Sequence, residues 1–296
     1  IASAMVNRGN PKAEGYYIGA IELYDRLLES VEDEAILNGR GNILKSLADL
    51  HARRGLYEEA EREYRDSILS YNRAIGLDEN DAGYHSNRGN GLSKLADLHA
   101  GRGLYEEAQR EYNDSIASFD RAIELSENYA DAYSNRGISL QRLADLHAGR
   151  GKLEEAEREY NDSILSFDRA IELNENEPRI HNNRGNSLQR LAALHAGRGK
   201  LEDAEREYNG SLLSYDSAIG LNENDAGYHS NRGSGLLGLA ALHAGRGKLE
   251  EAEREYREAI ASYDRAIELN ENEAGFHSNR GISLQSLADL HAGRGL

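Results

Sequence analysis

The sequence predicts an all-α solenoid of stacked antiparallel helix pairs, and three observations carry that prediction. The tripeptide Asn-Arg-Gly recurs at Asn87, Asn135, Asn183, Asn231 and Asn279, always 48 residues apart, with Gly39-Arg40-Gly41 as a variant one period earlier. A histidine keeps the same interval at His51, His99, His147, His195, His243 and His291. Between these markers the apolar residues fall at helical spacing, and only two of 296 residues are Pro. A fixed period of this size is the signature of a repeat array, in which each unit contacts its neighbours and the core grows lengthwise.

The unit from Asp131 to Pro178 shows each element in turn. Tyr133, Gly137, Leu140, Ala144 and His147 follow a helical stripe, which Leu143 and Leu146 widen. Gly149-Arg150-Gly151 then supplies a residue able to take the left-handed conformation that closes a helix. A second stripe follows at Leu153, Ala156, Tyr160, Ile164, Phe167 and Ile171, with Glu154 and Arg158 spaced for an ion pair on its outer face. Polar Asn174-Glu175-Asn176 ends that helix. Equivalent glycine turns are expected at 53–55, 101–103, 197–199 and 245–247. Neither helix can bury its stripe alone, so the pairs must stack.

The register divides the chain. Residues 33–272 hold five repeats of 48 residues, and residues 1–32 read as a shorter, divergent repeat with Asn7-Arg8-Gly9 and Tyr24-Asp25-Arg26. Pro11 and Gly15 are expected to break the first helix of that short repeat. Residues 273–296 supply the first helix of a further repeat or a C-terminal cap, and Gly295-Leu296 matches the mid-array Gly103-Leu104 as the cut end of a longer array would.

The stretch Ser166-Phe167-Asp168-Arg169-Ala170-Ile171-Glu172-Leu173-Asn174, followed by Arg184-Gly185, resembles the bacterial form of the tetratricopeptide repeat. The resemblance covers essentially the whole chain. It implies a right-handed superhelical solenoid of about thirteen helices, with first helices lining a concave groove. It also implies that Gly137 packs against a small residue of the second helix, for which Ala156 and Ser163 are the candidates. Three features depart from the family pattern. The repeat exceeds the usual ~34 residues, Arg136 stands where a large apolar residue is usual, and Glu175 replaces the loop Pro.

Composition narrows the function. A net charge of −17 disfavours nucleic acid and anionic membranes, which are bound through clustered Lys and Arg. No apolar run approaches the ~18 residues of a membrane span. The absence of Cys excludes disulfides and thiolate chemistry and fits a cytoplasmic setting. Gly233-Ser234-Gly235-Leu236-Leu237-Gly238 matches the dinucleotide fingerprint, but inside an expected helix rather than between strand and helix. The ten histidines fall in two columns too far apart to share a metal. The glycosylation-like triplets at Asn113, Asn161 and Asn209 lie mid-helix. No catalytic constellation, cofactor or metal site is therefore expected, and the chain reads as a non-enzyme.

What varies between units lies on the first helices. Four columns hold Asn90, Ile138, Asn186, Ser234; Ser93, Gln141, Gln189, Leu237; Lys94, Arg142, Arg190, Gly238; and Asp97, Asp145, Ala193, Ala241. Together with Asn87, Asn135, Asn183 and Asn231, the residues Asn90, Lys94, Gln141, Arg142, Asn186, Gln189 and Arg190 make a candidate groove for a peptide or helical segment of another protein. The basic row Lys94, Arg142 and Arg190 favours a segment with acidic side chains or a terminal carboxylate. The alternative is a structural protein that self-associates into dimers or filaments through its ends or edges.

Overall fold

A computed structural model describes residues 13–293. They form twelve helices: α1 Ala13–Leu28, α2 Glu34–Arg53, α3 Tyr57–Leu77, α4 Ala82–Gly101, α5 Tyr105–Leu125, α6 Ala130–Gly149, α7 Leu153–Leu173, α8 Pro178–Gly197, α9 Leu201–Leu221, α10 Ala226–Gly245, α11 Leu249–Leu269 and α12 Ala274–Gly293. No strand occurs among the described residues. The helix expected around Asn7-Arg8-Gly9 and Pro11 lies outside them, and Gly15 sits within the first turn of α1 without breaking it.

The helix ends follow from the residues placed there. Asp33 and Asp81 precede α2 and α4, and their carboxylates accept from the amides of Ile36 at 2.9 Å and Tyr84 at 3.0 Å. Each cap satisfies a first-turn donor that has no intrahelical partner. At the expected glycine turns, Gly55, Gly103, Gly151, Gly199 and Gly247 take φ between 73° and 78°, a region no other residue type enters among the described residues. The following amides of Leu56, Leu104, Lys152, Lys200 and Lys248 donate back to the carbonyls of His51, His99, His147, His195 and His243 at 2.9–3.0 Å. This is a Schellman closure, and it fixes the histidine column in the last turn of each of these helices.

Two compact units divide the chain, Ile1–Leu146 and His147–Leu296. In the first, Ala48, Ala60, Tyr64, Leu95 and Leu98 form one core cluster, and Ala96, Ala108, Tyr112, Leu143 and Leu146 form its repeat. In the second, Ala192, Ala204, Tyr208, Leu239 and Leu242 form the same arrangement. Each cluster joins one helix pair to the first helix of the next pair, so neighbouring repeats share a core as a solenoid requires.

One expectation about the helix-pair contact is corrected. The first-helix glycines are covered by aromatic rings, not only by small residues. A Cβ added at Gly89 would lie 2.8 Å from Phe119, and at Gly185 or Gly233 it would lie 2.6 Å from Tyr215 or 2.9 Å from Tyr263. Phe119, Tyr215 and Tyr263 are fully buried. In the Ser163 column, Ser67 and Ser115 bond the glycine's carbonyl instead, at Gly41 and Gly89, each at 2.8 Å. Residues in the Ala156 column, such as Ala108, pack elsewhere, in the cluster around Tyr112.

Candidate partner-binding surface

Much of the repeated polarity holds repeats together. The arginine that departs from the family pattern is a clamp. Arg136 reaches back to Asp120 at 2.6 Å, and Arg184 to Asp168 at 2.5 Å. Arg184 also donates to Ser214 at 2.8 Å, as Arg88 does to Ser118. One guanidinium thereby joins three helices, using donors fixed in a planar fork. An apolar residue at that column would pack but could not make this connection.

The histidine column is likewise structural. His51, His99, His195 and His243 are buried, and each places Nδ1 2.7–2.8 Å from a carboxylate of the next helix: Glu63, Glu111, Glu207 and Glu255. On the other ring nitrogen, His195 lies 3.1 Å from Glu157 and His99 lies 3.4 Å from Glu61, so each ring sits between carboxylates of successive repeats. Burial raises the carboxyl pKa of Glu63, Glu111, Glu207 and Glu255. His147 has Glu159 at 2.8 Å, but its Nε2 has no hydrogen-bond partner. Burial pushes the Glu159 carboxyl up to about 7 and holds the His147 imidazole below its ordinary value. The second histidine column closes loops: His85 and His229 bond the carbonyls of Glu79 and Glu223. Among the described residues no group of three or more acidic or histidine side chains could hold a metal ion.

The candidate groove residues separate by unit. In the first, Asn87 donates to Asn38 at 2.9 Å and links adjacent first helices. Asn90 is half-buried, Gln141 is buried, and Asn135 is half-buried. Lys94 and Arg142 both face Asp97, at 3.9 Å for Lys94 and in direct contact for Arg142. Their positive charge is thus largely answered within the chain. Lys94 also borders a cavity of about 420 Å³ with Asp49, Tyr57, Tyr64 and Asp97.

In the second unit, Asn186, Gln189, Arg190 and Asn231 come together around one cavity of about 310 Å³, with Ala193, Tyr208 and Ser234 completing its wall. Asn183 is half-buried and does not line it. The single proton of the Tyr215 hydroxyl is shared between Asn186 Oδ1 at 2.9 Å and Gln189 Oε1 at 2.7 Å, which anchors both carboxamides at the wall. Asn231 donates to Asn182 at 2.8 Å. Arg190 is exposed.

Sequence reasoning missed the second-helix tyrosines that back this surface. Tyr64 and Tyr112 are buried and donate to Asp49 at 2.6 Å and Asp97 at 2.8 Å. The signal was present in the variable column Asp97, Asp145, Ala193, Ala241, but the partner is an unchanging Tyr on another helix. The outer-face pair Glu154–Arg158 is also replaced by a contact between repeats, Arg198 to Glu154 at 2.9 Å.

Family models described as TPR repeat and tetratricopeptide repeat match residues 106–143, 42–81 and 234–270. No curated protein matches the chain. The crystal structure of BtubC (BKLC) from P. vanneervenii is similar, with a TM-score of 0.56 and 18% identity over 88% of this chain and 91% of that one. So is a putative kinesin light chain with nearly identical TPR-like repeats from Podosopora anserina, with a TM-score of 0.52 and 20% identity over 75% and 94%. At these identities the likeness is one of fold. With the helix-pair register and the glycine closures, the matched segments 42–81, 106–143 and 234–270 are tetratricopeptide repeats.

Proposed function

We propose that the chain is a protein-interaction scaffold whose first helices bind an extended or helical segment of a partner protein. The observation that carries this reading is the second-unit cavity. It gathers carboxamides and a guanidinium and contains no carboxylate, in a chain of net charge −17. Carboxamide donors can bond a peptide backbone without demanding one side chain. The absence of acids from the wall favours a segment bearing Asp, Glu or a terminal carboxylate, which the acidic surface elsewhere repels. The first unit carries a candidate surface of its own in Asn87, Asn90, Asn135, Gln141, Lys94 and Arg142, and Asn183 belongs to that of the second.

The test is selection of displayed peptides on the full chain, followed by triple replacement of Asn186, Gln189 and Asn231 with Ala. The expected result is recovery of acidic segments whose binding falls at least tenfold in the variant, with helicity unchanged. Undiminished binding in the variant, or no selected segment together with concentration-dependent light scattering, would replace this reading with self-association.

A further inference from the structure

Buried histidines join successive repeats through acids on both sides of the ring. In the second unit His195 Nδ1 lies 2.8 Å from Glu207 on α9, and its Nε2 lies 3.1 Å from Glu157 on α7. His243 repeats the arrangement with Glu255 on α11 at 2.8 Å and Glu205 on α9 at 3.1 Å. The first unit holds the same pattern at His51, between Glu63 and Glu14, and at His99, between Glu111 and Glu61. Because α9 gives Glu207 to one ring and Glu205 to the next, carboxylates and imidazoles alternate along the stack. The cations that face the row in the second unit are Arg198 and Lys200 on Glu157, Arg246 and Lys248 on Glu205, Arg206 on Glu207 and Arg254 on Glu255. Glu258 adds a further negative charge near Glu255.

At Nδ1 of each ring a hydrogen bond engages one proton. At Nε2 of His195 and His243 the acid stands at ion-pair distance without forming a hydrogen bond, so charge holds that contact. A neutral imidazole has one N–H and one lone pair. With Nδ1–H engaged, its lone pair would face an anion, and one attraction per ring would become a repulsion. The proton is shared with Glu207 or Glu255, whose acidity burial weakens, so the count is the same whichever atom carries it. The sequence supplies a contrast. Gln109 stands at the position of Glu61, Glu157 and Glu205, and the next histidine, His147, has Glu159 at Nδ1 and no hydrogen-bond partner at Nε2. We propose that the Glu–His–Glu sets are proton-operated clamps, which lock one helix pair to the next while protonated and loosen that contact as pH rises. In the second unit the clamps hold α8 and α10, the helices that carry the candidate surface. The folded state keeps a proton that the unfolded chain gives up near the ordinary imidazole value of about 6.5. The clamp's contribution is therefore full below that pH and lost above it.

The experiment compares the full chain with Glu205→Gln, which gives the His243 clamp the residue found at position 109. Urea unfolding is followed between about pH 6 and about pH 9. The ratio of the wild-type unfolding constant to that of the variant should rise at least about tenfold across this range. Any general weakening by the substitution offsets the ratio equally at every pH. Histidine ring resonances, followed through the same titration, locate the effect. His243 should lose its proton at lower pH in Glu205→Gln than in the wild type, while His195, clamped by Glu157, should not move. In the wild type alone, with no variant needed, His195 and His243 should hold their protons to higher pH than His147. A pH-independent ratio, a His243 titration unmoved by Glu205→Gln, or His195 and His243 rings that deprotonate with or before His147 would overturn the proposal.

Discussion

The first unit completes its polar column internally, and the second leaves it open. At Asp97, Tyr112 and Arg142, one carboxylate receives a phenol and a guanidinium. At the equivalent positions Ala193 and Tyr208 border a cavity, and the Tyr208 ring lies over Gly238. The helices around them are alike in length and caps, so two substitutions turn a structural contact into a candidate binding contact. In a duplicated array, function is legible where a copy stops satisfying itself.

The largest expected effect separates the two sites by stability. Asp97→Ala leaves Tyr112, Lys94 and Arg142 without their shared acceptor and should cost about 1–3 kcal/mol. Ala193→Asp restores that acceptor for Tyr208 and should stay within about 1 kcal/mol of the wild type. Urea unfolding of both variants checks the contrast, and equal losses would break it.

Two helix glycines sharpen the same comparison. Gly238→Ala would drive a Cβ into the Tyr208 ring and should destabilise by about 1–2 kcal/mol. Gly281→Ala meets nothing within 4 Å and should stabilise by up to about 1 kcal/mol through helix propensity. Thermal melts that shift in the same direction would contradict the packing.

Acidity offers a third contrast. The Glu159 carboxyl is raised to about 7 in the fold, so the folded state keeps a proton that the unfolded chain releases near its ordinary value of 4.5. Its contribution is therefore full below about 4.5 and lost as pH rises through 7. Glu159→Gln should remove that loss, gaining about 1–3 kcal/mol on the wild type between pH 4.5 and 7.5. Because His147 Nδ1 lies 2.8 Å from Glu159 and carries the opposite trend, lost as pH falls, the comparison is made in a His147→Gln background. A pH-independent difference in denaturation free energy would refute the assignment.

The smallest effect concerns local exchange. Three interior glycines in α10 weaken its intrinsic helicity, whereas Tyr263, Leu212 and Tyr208 cover Gly233, Gly235 and Gly238. Faster amide exchange in α10 than in residues 135–148 would show propensity dominating, and equal exchange would show that the rings compensate.

The sequence made the closures plain because glycine is the residue that takes positive φ at no steric cost, and the histidines followed at a fixed distance. The 48-residue register placed the helices from α2 to α12. The Arg136 clamp was not legible, because its value lies in Asp120 on another helix, which spacing within one helix cannot show. Lys94 and Arg142 were legible as charge but not as charge already answered by Asp97. The Asp-to-Ala change at 193 was visible, and its meaning waited on the tyrosine behind it.

A double-mutant cycle tests the central claim most directly, that position 193 is the Asp97 site with its carboxylate removed. Ala193→Asp is combined with Tyr208→Phe, and Asp97→Ala with Tyr112→Phe, and unfolding free energies are compared. Both cycles should give coupling of about 1–3 kcal/mol, as a phenol bonded to a carboxylate does. Coupling in the first unit with none in the second would mean that Tyr208 does not address position 193, and the account would fail.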